Sequence, residues 1–231
     1  MKRFILMLVF LGFASCGQSN DLAAPGAEPE NIESAFYPED ATLFTVYRPD
    51  SGVRYRITET FLDGVSLEVP NRNAGEEVLA IGNSPGLVGT LALDLDSDPP
   101  RVFGGDFTAD LTLLRTNQQR RDERLRSKWL QTYTYPTATF VLDEQNILEN
   151  GYTLGTEVEF PLTGQLTVRD VTIPVTFMVQ AMLDTELQEI QAAAELKLLI
   201  SDLGIEPPNM ANVVVVDDPF EIGVVLVARR K

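Results

Sequence analysis

The stretch VEFPLTGQLTVRDVTIPVTFMV, residues 158–179, decides the fold, because apolar and polar side chains alternate along nearly all of it. The apolar residues take even positions up to Val168 and odd positions from Val171 onward. A period of two places successive side chains on opposite faces of a β-strand. The change of parity at Arg169 and Asp170 therefore predicts a turn or a bulge between two strands.

The same period of two runs through most of the chain from residue 42 onward. It is clearest in segments 53–58, 87–96, 106–113, 137–142 and 220–228. Alternation over 187–200 favours a strand there, although its Ala, Glu, Lys and Leu residues are also good helix formers. The segments NVVVVDD and FEIGVVLVARR predict two closing strands.

One segment, NQQRRDERLRSKWLQ at residues 117–131, interrupts the alternation. It is rich in helix formers, and Leu125 and Trp129 lie one helical turn apart on one face. Pro136 enforces the end of this short helix. One helix and about eight to nine strands with one apolar face predict an all-β fold, either a sandwich or a closed barrel.

The N-terminus has the three parts of a secretory signal peptide, which we assign to residues 1–15. Lys2 and Arg3 supply positive charge, an apolar run follows, and the small pair Ala14-Ser15 precedes Cys16. The apolar run is too short to span a bilayer. Cys16 is the chain's single cysteine, so no internal disulfide explains it.

The position of Cys16 resembles a bacterial lipobox, in which the thiol is diacylated and becomes the mature N-terminus. Phe13 stands where that pattern usually has Leu, and ordinary cleavage leaving a free thiol is the alternative. Two acyl chains anchor a protein stably to a membrane without spanning it. Residues 16–41 show no apolar period and predict a lipidated cysteine followed by a flexible tether.

Charge and composition exclude several functions. Removing residues 1–15 changes the net charge from −16 to −18, and so acidic a chain repels nucleic acid and anionic headgroups. The absence of histidine excludes Ser-His-Asp catalysis and imidazole ligation of zinc or haem. Asp94, Asp96 and Asp98 have the spacing of a calcium loop, but Pro99 and Gly105 occupy positions where that loop needs Gly and Glu. We therefore predict no metal site, no cofactor and no enzymatic activity.

Three stretches, taken together, resemble the YceI-like family of lipocalin-like barrels that bind polyisoprenoids. They are RRDERLRSKWLQTYTYPTATF (120–140), LTGQLTVRDVTIPVTF (162–177) and LLISDLGIEPP (198–208). The resemblance covers roughly residues 42–229 and implies a lipocalin-like antiparallel β-barrel of about eight strands over 42–231. It also implies an apolar ligand of polyprenyl or quinone type bound inside the barrel.

The chain departs from the family pattern in several places. Asp170 stands where the family has Gly after its second motif, and Asp tolerates the left-handed conformation that the turn needs. Residues 68–86 form a longer insert than the family has, and this insert is either a lid at the barrel opening or a surface loop. The N-terminal segment around Ser51 and Val53 lacks the family's histidine.

The inward faces of the strands and the helix predict which side chains line a ligand tunnel. These are Tyr55, Ile57, Phe107, Leu111, Leu125, Trp129, Phe140, Phe160 and Phe177. Small residues on the same faces leave room for a lumen, or serve barrel corners. Arg121 and Arg124 are candidates to contact a polar headgroup, although such a run is also typical of a solvated helix face.

These observations predict a lipid-anchored cell-envelope protein that binds or carries an isoprenoid-type lipid and is attached to a membrane through Cys16. A homodimer is compatible with the sequence. The alternative is a structural or protein-interaction barrel whose core is filled by its own side chains. A third reading, a hydrolase or isomerase using pocket carboxylates, has no motif in its favour. An internal cavity of several hundred Å³ would distinguish the lipid carrier from the filled barrel, because only the carrier needs it.

Overall fold

The computed structural model describes residues 37–62, 77–143, 146–186, 188–210 and 214–231. The predicted signal peptide and Cys16 lie outside the described residues. Within those residues, no helix has the length and apolar character needed to cross a membrane. The twelve strands among them are β1 (Thr42–Val46), β2 (Gly52–Phe61), β3 (Glu77–Ser84), β4 (Leu87–Asp94), β5 (Arg101–Asp110), β6 (Thr137–Leu142), β7 (Asn146–Ile147), β8 (Val158–Val168), β9 (Val171–Leu183), β10 (Glu189–Leu199), β11 (Asn209–Met210) and β12 (Val214–Arg230).

Eight strands form a closed antiparallel barrel in the order β1-β4-β5-β6-β8-β9-β10-β12, and β12 returns to β1. The long strand β12 makes this closure with its last residues, where Val46 faces Ala228. Its earlier part pairs instead with β2, which carries β3 as its other neighbour. The predicted lipocalin-like antiparallel β-barrel of about eight strands is confirmed, and a sandwich is excluded.

The turn between β8 and β9 is a tight one, since Val168 pairs directly with Val171. The predicted change of parity at this point is thus a two-residue hairpin turn. Asp170 does not take the left-handed conformation that Asp tolerates. Arg169 takes it instead, with φ of 59°.

The predicted helix is present as α1 (Gln119–Arg124), which continues into a π-helical turn over Leu125–Trp129. The change of helix type is visible in the hydrogen bond that Leu130 N donates to Leu125 O, at 2.8 Å. Asp122 fixes the start of the helix, because its carboxylate accepts hydrogen bonds from the backbone N–H (2.8 Å) and hydroxyl (2.7 Å) of Thr116.

Two predicted elements differ from the observed ones. The two closing strands are one continuous strand, β12, whose register shifts between Val216 and Phe220. Pro219 stands in that shift, where its missing N–H removes no ladder hydrogen bond from β2. The insert at 68–86 is not simply a surface loop, because residues 77–84 form β3 and pair with β2. Its first part lies outside the described residues.

The two ends of the barrel differ in packing. At the closing end, where β1 meets β12, Phe44 and Ala228 are almost completely buried in a continuous apolar cluster with Val46 and Ile190. The opposite end, which we call the helix end, bears α1 and the β8–β9 turn. Residues 37–41, the last of the predicted tether, lie against the barrel, because the Tyr37 hydroxyl donates a 2.8 Å hydrogen bond to Asp106.

Candidate functional site

An apolar cavity of about 270 Å³ lies inside the barrel toward the helix end. Its wall is contributed by side chains from most strands of the barrel, from the helix and from the segment after β10. The volume is close to the lower limit of about 300 Å³ that is usual for ligand pockets. The interior is therefore not filled by its own side chains.

The structure brings most of the predicted lining residues together on one wall. Those on the cavity are Tyr55, Ile57, Phe107, Leu111, Leu125, Trp129, Phe140 and Phe177. Phe160 does not reach the wall, although it has the same parity as Leu162 on β8. It packs against the apolar cluster around Phe177 instead. Whether the eight residues contact a ligand stays a prediction.

Two phenylalanines illustrate how the wall is built. The rings of Phe140 and Phe177 meet edge to face, with centroids 5.0 Å apart and planes at 67°. This is a favoured arrangement for aromatic pairs. The Phe140 ring lies across Gly164 on the neighbouring strand, where an added Cβ would stand only 2.7 Å from it. Gly164 therefore makes room for the ring and not for the lumen.

Alanines provide the lumen itself. Four alanines among the described residues line the cavity: Ala109, Ala138, Ala192 and Ala194. Each presents only a methyl group to the interior and so leaves space beside it. On β10 the middle residue of the run AAA, Ala193, faces solvent. The inward alanines were recognisable as small residues on apolar faces, and the structure shows that they widen the interior.

One buried ion pair stands on the wall at the helix end. Arg121 Nη2 lies 2.6 Å from Glu59 Oε2, and the two side chains are only 11% and 9% exposed. Arg121 also donates a 3.1 Å hydrogen bond to Asn117 Oδ1. The charge of this arginine is therefore already compensated by a carboxylate of the protein. Buried charges require such pairing, because isolated ones are very costly.

The two arginines proposed to contact a headgroup are separated by the structure. Arg121 lines the cavity, whereas Arg124 is exposed on the outer face of the helix, away from the cavity wall. Arg126, on the π-helical turn, donates a 2.7 Å hydrogen bond to the carbonyl of Leu114 and so holds the helix on the barrel. Only one of the two predicted residues is thus placed to act on the cavity.

Tyr55 lies beside the ion pair and adds a polar atom to the wall. Burial raises the pKa of the Tyr55 phenol to about 12, and the nearby Arg121 charge opposes this rise only partly. The negative charges of Glu59 and Asp122 raise the pKa further. The phenol therefore stays neutral over the physiological range.

Sequence reasoning missed several wall residues. Glu59 lies on the inward parity of β2 after Tyr55 and Ile57, and an acid at such a position was the signal that could have drawn attention to it. Leu203 and Ile205 enter the wall from the turn after β10, which ends at Gly204 with φ of 65°. The alternation of apolar and polar residues applies to strands, so it does not predict that side chains of a turn face the interior.

The spaced acids and the charges on the cavity wall have partners within the protein. Among the described residues no cluster of three or more acidic or thiol side chains could hold a metal ion. Asp94, the first of the three spaced acids, accepts backbone hydrogen bonds from Asp96 (3.2 Å) and Ser97 (3.0 Å), so it caps a turn. The ionisable groups on the cavity wall include Glu59 and Arg121, and these two neutralise each other.

Fold and site together define a class, a closed antiparallel β-barrel that encloses an apolar cavity, with its opening region covered by a short helix. The model of the YceI-like domain family matches residues 78–228. The chain therefore belongs to the YceI-like domain family. Comparison with curated proteins gave no match.

Solved structures with the same fold are distant in sequence. A polyisoprenoid binding domain from Saccharophagus degradans, implicated in plant cell wall breakdown, is 16% identical, with a TM-score of 0.61 over 83% of this chain and 99% of that one. BcnA from Burkholderia cenocepacia is 18% identical, with a TM-score of 0.54 over 79% and 98%. The YCEI protein of Campylobacter jejuni is 18% identical, with a TM-score of 0.51 over 65% and 84%.

Proposed function

We propose that the protein binds and carries an isoprenoid-type apolar lipid, polyprenyl or quinone-like, inside its barrel, without catalysing a reaction. The observation that supports this most directly is the almost wholly apolar cavity of about 270 Å³ inside the barrel. The polyisoprenoid binding domain from Saccharophagus degradans, which has the same fold, supports the choice of ligand. The alternative, a purely structural barrel, predicts an interior filled by the protein's own side chains, and the cavity favours the carrier instead.

The volume of the cavity limits how much of a ligand it encloses. An apolar cavity of about 150 Å³ accepts benzene, so one of about 270 Å³ encloses about ten carbon atoms, roughly two isoprene units. At about 0.8 kcal/mol per buried methylene, ten carbons contribute about 8 kcal/mol, which corresponds to micromolar affinity before association costs. A longer prenyl chain must extend beyond the cavity.

Ligand binding can be followed directly because Trp129, the only tryptophan of the chain, lies on the cavity wall. We expect geranylbenzene, whose geranyl tail has two isoprene units, to change the Trp129 fluorescence of lipid-stripped protein in a saturable way. Native mass spectrometry should show one bound molecule. Fluorescence and mass spectra that do not respond to geranylbenzene would overturn the proposal.

The run of alanines in β10 offers a matched pair of variants. Ala194→Phe places a ring in the cavity and should weaken geranylbenzene binding at least tenfold. Ala193→Phe makes the same chemical change on the exposed face and should bind as the unaltered protein does. Equal affinities of the two variants would show that the ligand binds elsewhere.

We further propose that the protein is anchored in the cell envelope through diacylation of Cys16, after removal of residues 1–15. The signal-peptide pattern and the single cysteine support this. Replacing Cys16 by Ala should abolish incorporation of labelled palmitate and release the protein from the membrane fraction. Unchanged labelling of the C16A variant would refute the anchor and leave the ligand proposal intact.

A further inference from the structure

A second pocket, of about 260 Å³, lies at the helix end beside the apolar cavity. It differs in character, because it is lined by the polar residues Lys128, Arg169, Glu206 and Asn209. Three wall residues, Trp129, Ile205 and Pro208, line both spaces. The two spaces therefore adjoin at these three residues.

Arg169 lines this polar pocket and has a hydrogen-bond donor that the protein does not use. Its Nε is buried and has no acceptor among the described residues. The remaining contacts of the guanidinium are long, 3.4 Å to the Trp129 carbonyl and 3.9 Å to the Asp170 carboxylate. A buried donor without an acceptor is costly, so an acceptor oxygen supplied by a ligand is favoured there.

The Arg169 side chain extends from a tight turn and is largely shielded from solvent. Arg169 is the first residue of the β8–β9 turn and has φ of 59°, which is uncommon for a residue other than glycine. Two-residue hairpin turns commonly require this conformation at a central residue. The side chain is only 18% exposed, so it does not simply extend into solvent.

Arg121, a cation on the cavity wall at the helix end, is not available for a ligand. Arg121 is paired with Glu59 at 2.6 Å, and an anionic headgroup at Arg121 would also meet that buried carboxylate. Lys128, in contrast, is exposed at the rim of the polar pocket and stands one residue before Trp129. The polar pocket thus offers two cations that can hydrogen-bond to oxygen.

We infer that the pocket around Arg169 and Lys128 binds the acceptor oxygens of a ligand's head group while its tail lies in the apolar cavity. This rests on the proposed lipid-binding function and adds to it the site of the head group. Quinone carbonyls and prenyl phosphates share this chemistry, because both present oxygen acceptors at the end of an isoprenoid chain. Arg169 is the main contact and Lys128 the outer one.

The test compares three ligands of the same tail by isothermal titration calorimetry on the full chain. Geranyl-benzoquinone carries neutral acceptors, geranyl phosphate carries charged ones, and geranylbenzene carries none. For Arg169→Gln we expect about tenfold weaker binding of whichever oxygen-bearing ligand binds best, and an unchanged Kd for geranylbenzene. Lys128→Gln should weaken the same ligand less.

Arg101→Gln is the matched control, because Arg101 is an exposed arginine at the start of β5, at the opposite end of the barrel. It should leave the Kd of each ligand unchanged. Unchanged geranylbenzene binding also shows that Arg169→Gln folds. A larger loss for geranyl phosphate than for geranyl-benzoquinone would identify the charged head group, and the reverse order the neutral one.

Two outcomes overturn the inference while leaving the lipid-binding function standing. One is equal affinity of Arg169→Gln and Arg101→Gln for both oxygen-bearing ligands. The other is an equal loss for geranylbenzene, which would give Arg169 a structural role only. If the unaltered protein binds none of the three ligands, the proposed function itself fails.

Discussion

The closing end and the helix end of the barrel differ in how completely side chains fill the interior. At the closing end, Phe44 is 0% exposed and Ala228 1% exposed, within one apolar cluster. At the helix end, strands of the same alternating pattern surround a cavity, a buried ion pair and the polar pocket next to it. One end holds the barrel closed, and the other leaves room for a ligand.

The difference comes from small residues and from one charge on inward positions. Ala192 and Ala194 face inward on β10 at the level of the cavity, whereas Ile190, earlier on the same face, fills the closing end. Glu59 faces inward on β2 and needs Arg121 from the helix to compensate its charge. The helix end therefore has less apolar packing and an internal cavity, and mutations at the two ends should have different effects.

The largest effect is expected from breaking the buried ion pair. Glu59→Gln leaves Arg121 buried without a compensating charge and should lower the free energy of unfolding by about 3 kcal/mol. The measurement is chemical denaturation of the variant and the unaltered protein at neutral pH.

The control for this prediction is Glu221→Gln on the outer surface. Glu221 pairs with Arg56 at 3.4 Å and with Lys197 at 3.3 Å, in a solvated network. Its loss should cost less than about 1 kcal/mol. Equal destabilisation by the two variants would contradict the view that the helix end depends on a desolvated pair.

An intermediate effect is expected from adding volume at each end. Ala228→Leu forces extra atoms into the filled cluster and should cost about 1–3 kcal/mol. Ala194→Leu adds the same atoms to the wall of the cavity, where space exists, and should change stability by less than about 1 kcal/mol. Thermal unfolding of the two variants measures the difference, and equal costs would show that the cavity is not available space.

Periodicity predicted the fold well because strand parity depends on local sequence. The alternation over 158–179 identified β8, β9 and the turn between them, and the Leu125–Trp129 spacing identified the inward face of the helix. Parity also assigned inward faces correctly, yet it says nothing of position along the barrel axis. Phe160 has the inward parity but stands outside the cavity wall and packs against the cluster around Phe177.

The parts that could not be predicted depend on contacts between distant residues. Glu59 and Arg121 are 62 positions apart, and only the folded chain brings them within 2.6 Å. The polar pocket needs the helix, the β8–β9 turn and the segment Gly204–Asn209 together. Likewise, a pattern of side chains does not determine backbone dihedrals, so the left-handed residue fell at Arg169 and not at Asp170.

The smallest effect concerns the ionisation of Tyr55 at the helix end. Burial raises its folded-state pKa to about 12, against an ordinary value of about 10 in the unfolded chain. The stability contributed by the neutral phenol is therefore complete below about pH 10 and is lost as the pH rises from about 10 to about 12. At about pH 11 the loss should reach up to about 1 kcal/mol.

Tyr55→Phe isolates this effect from the other tyrosines, because the variant lacks the ionising group but keeps the ring. Its free energy of unfolding should fall less than that of the unaltered protein between about pH 9 and about pH 11. Tyr133→Phe is the control, since Tyr133 is fully exposed at 102%, and this variant should follow the unaltered protein. Parallel pH profiles for all three proteins would mean that Tyr55 ionises as readily in the folded barrel as in the unfolded chain. The helix end would then be accessible to water, and the contrast with the closing end would lie in solvation as well as in packing.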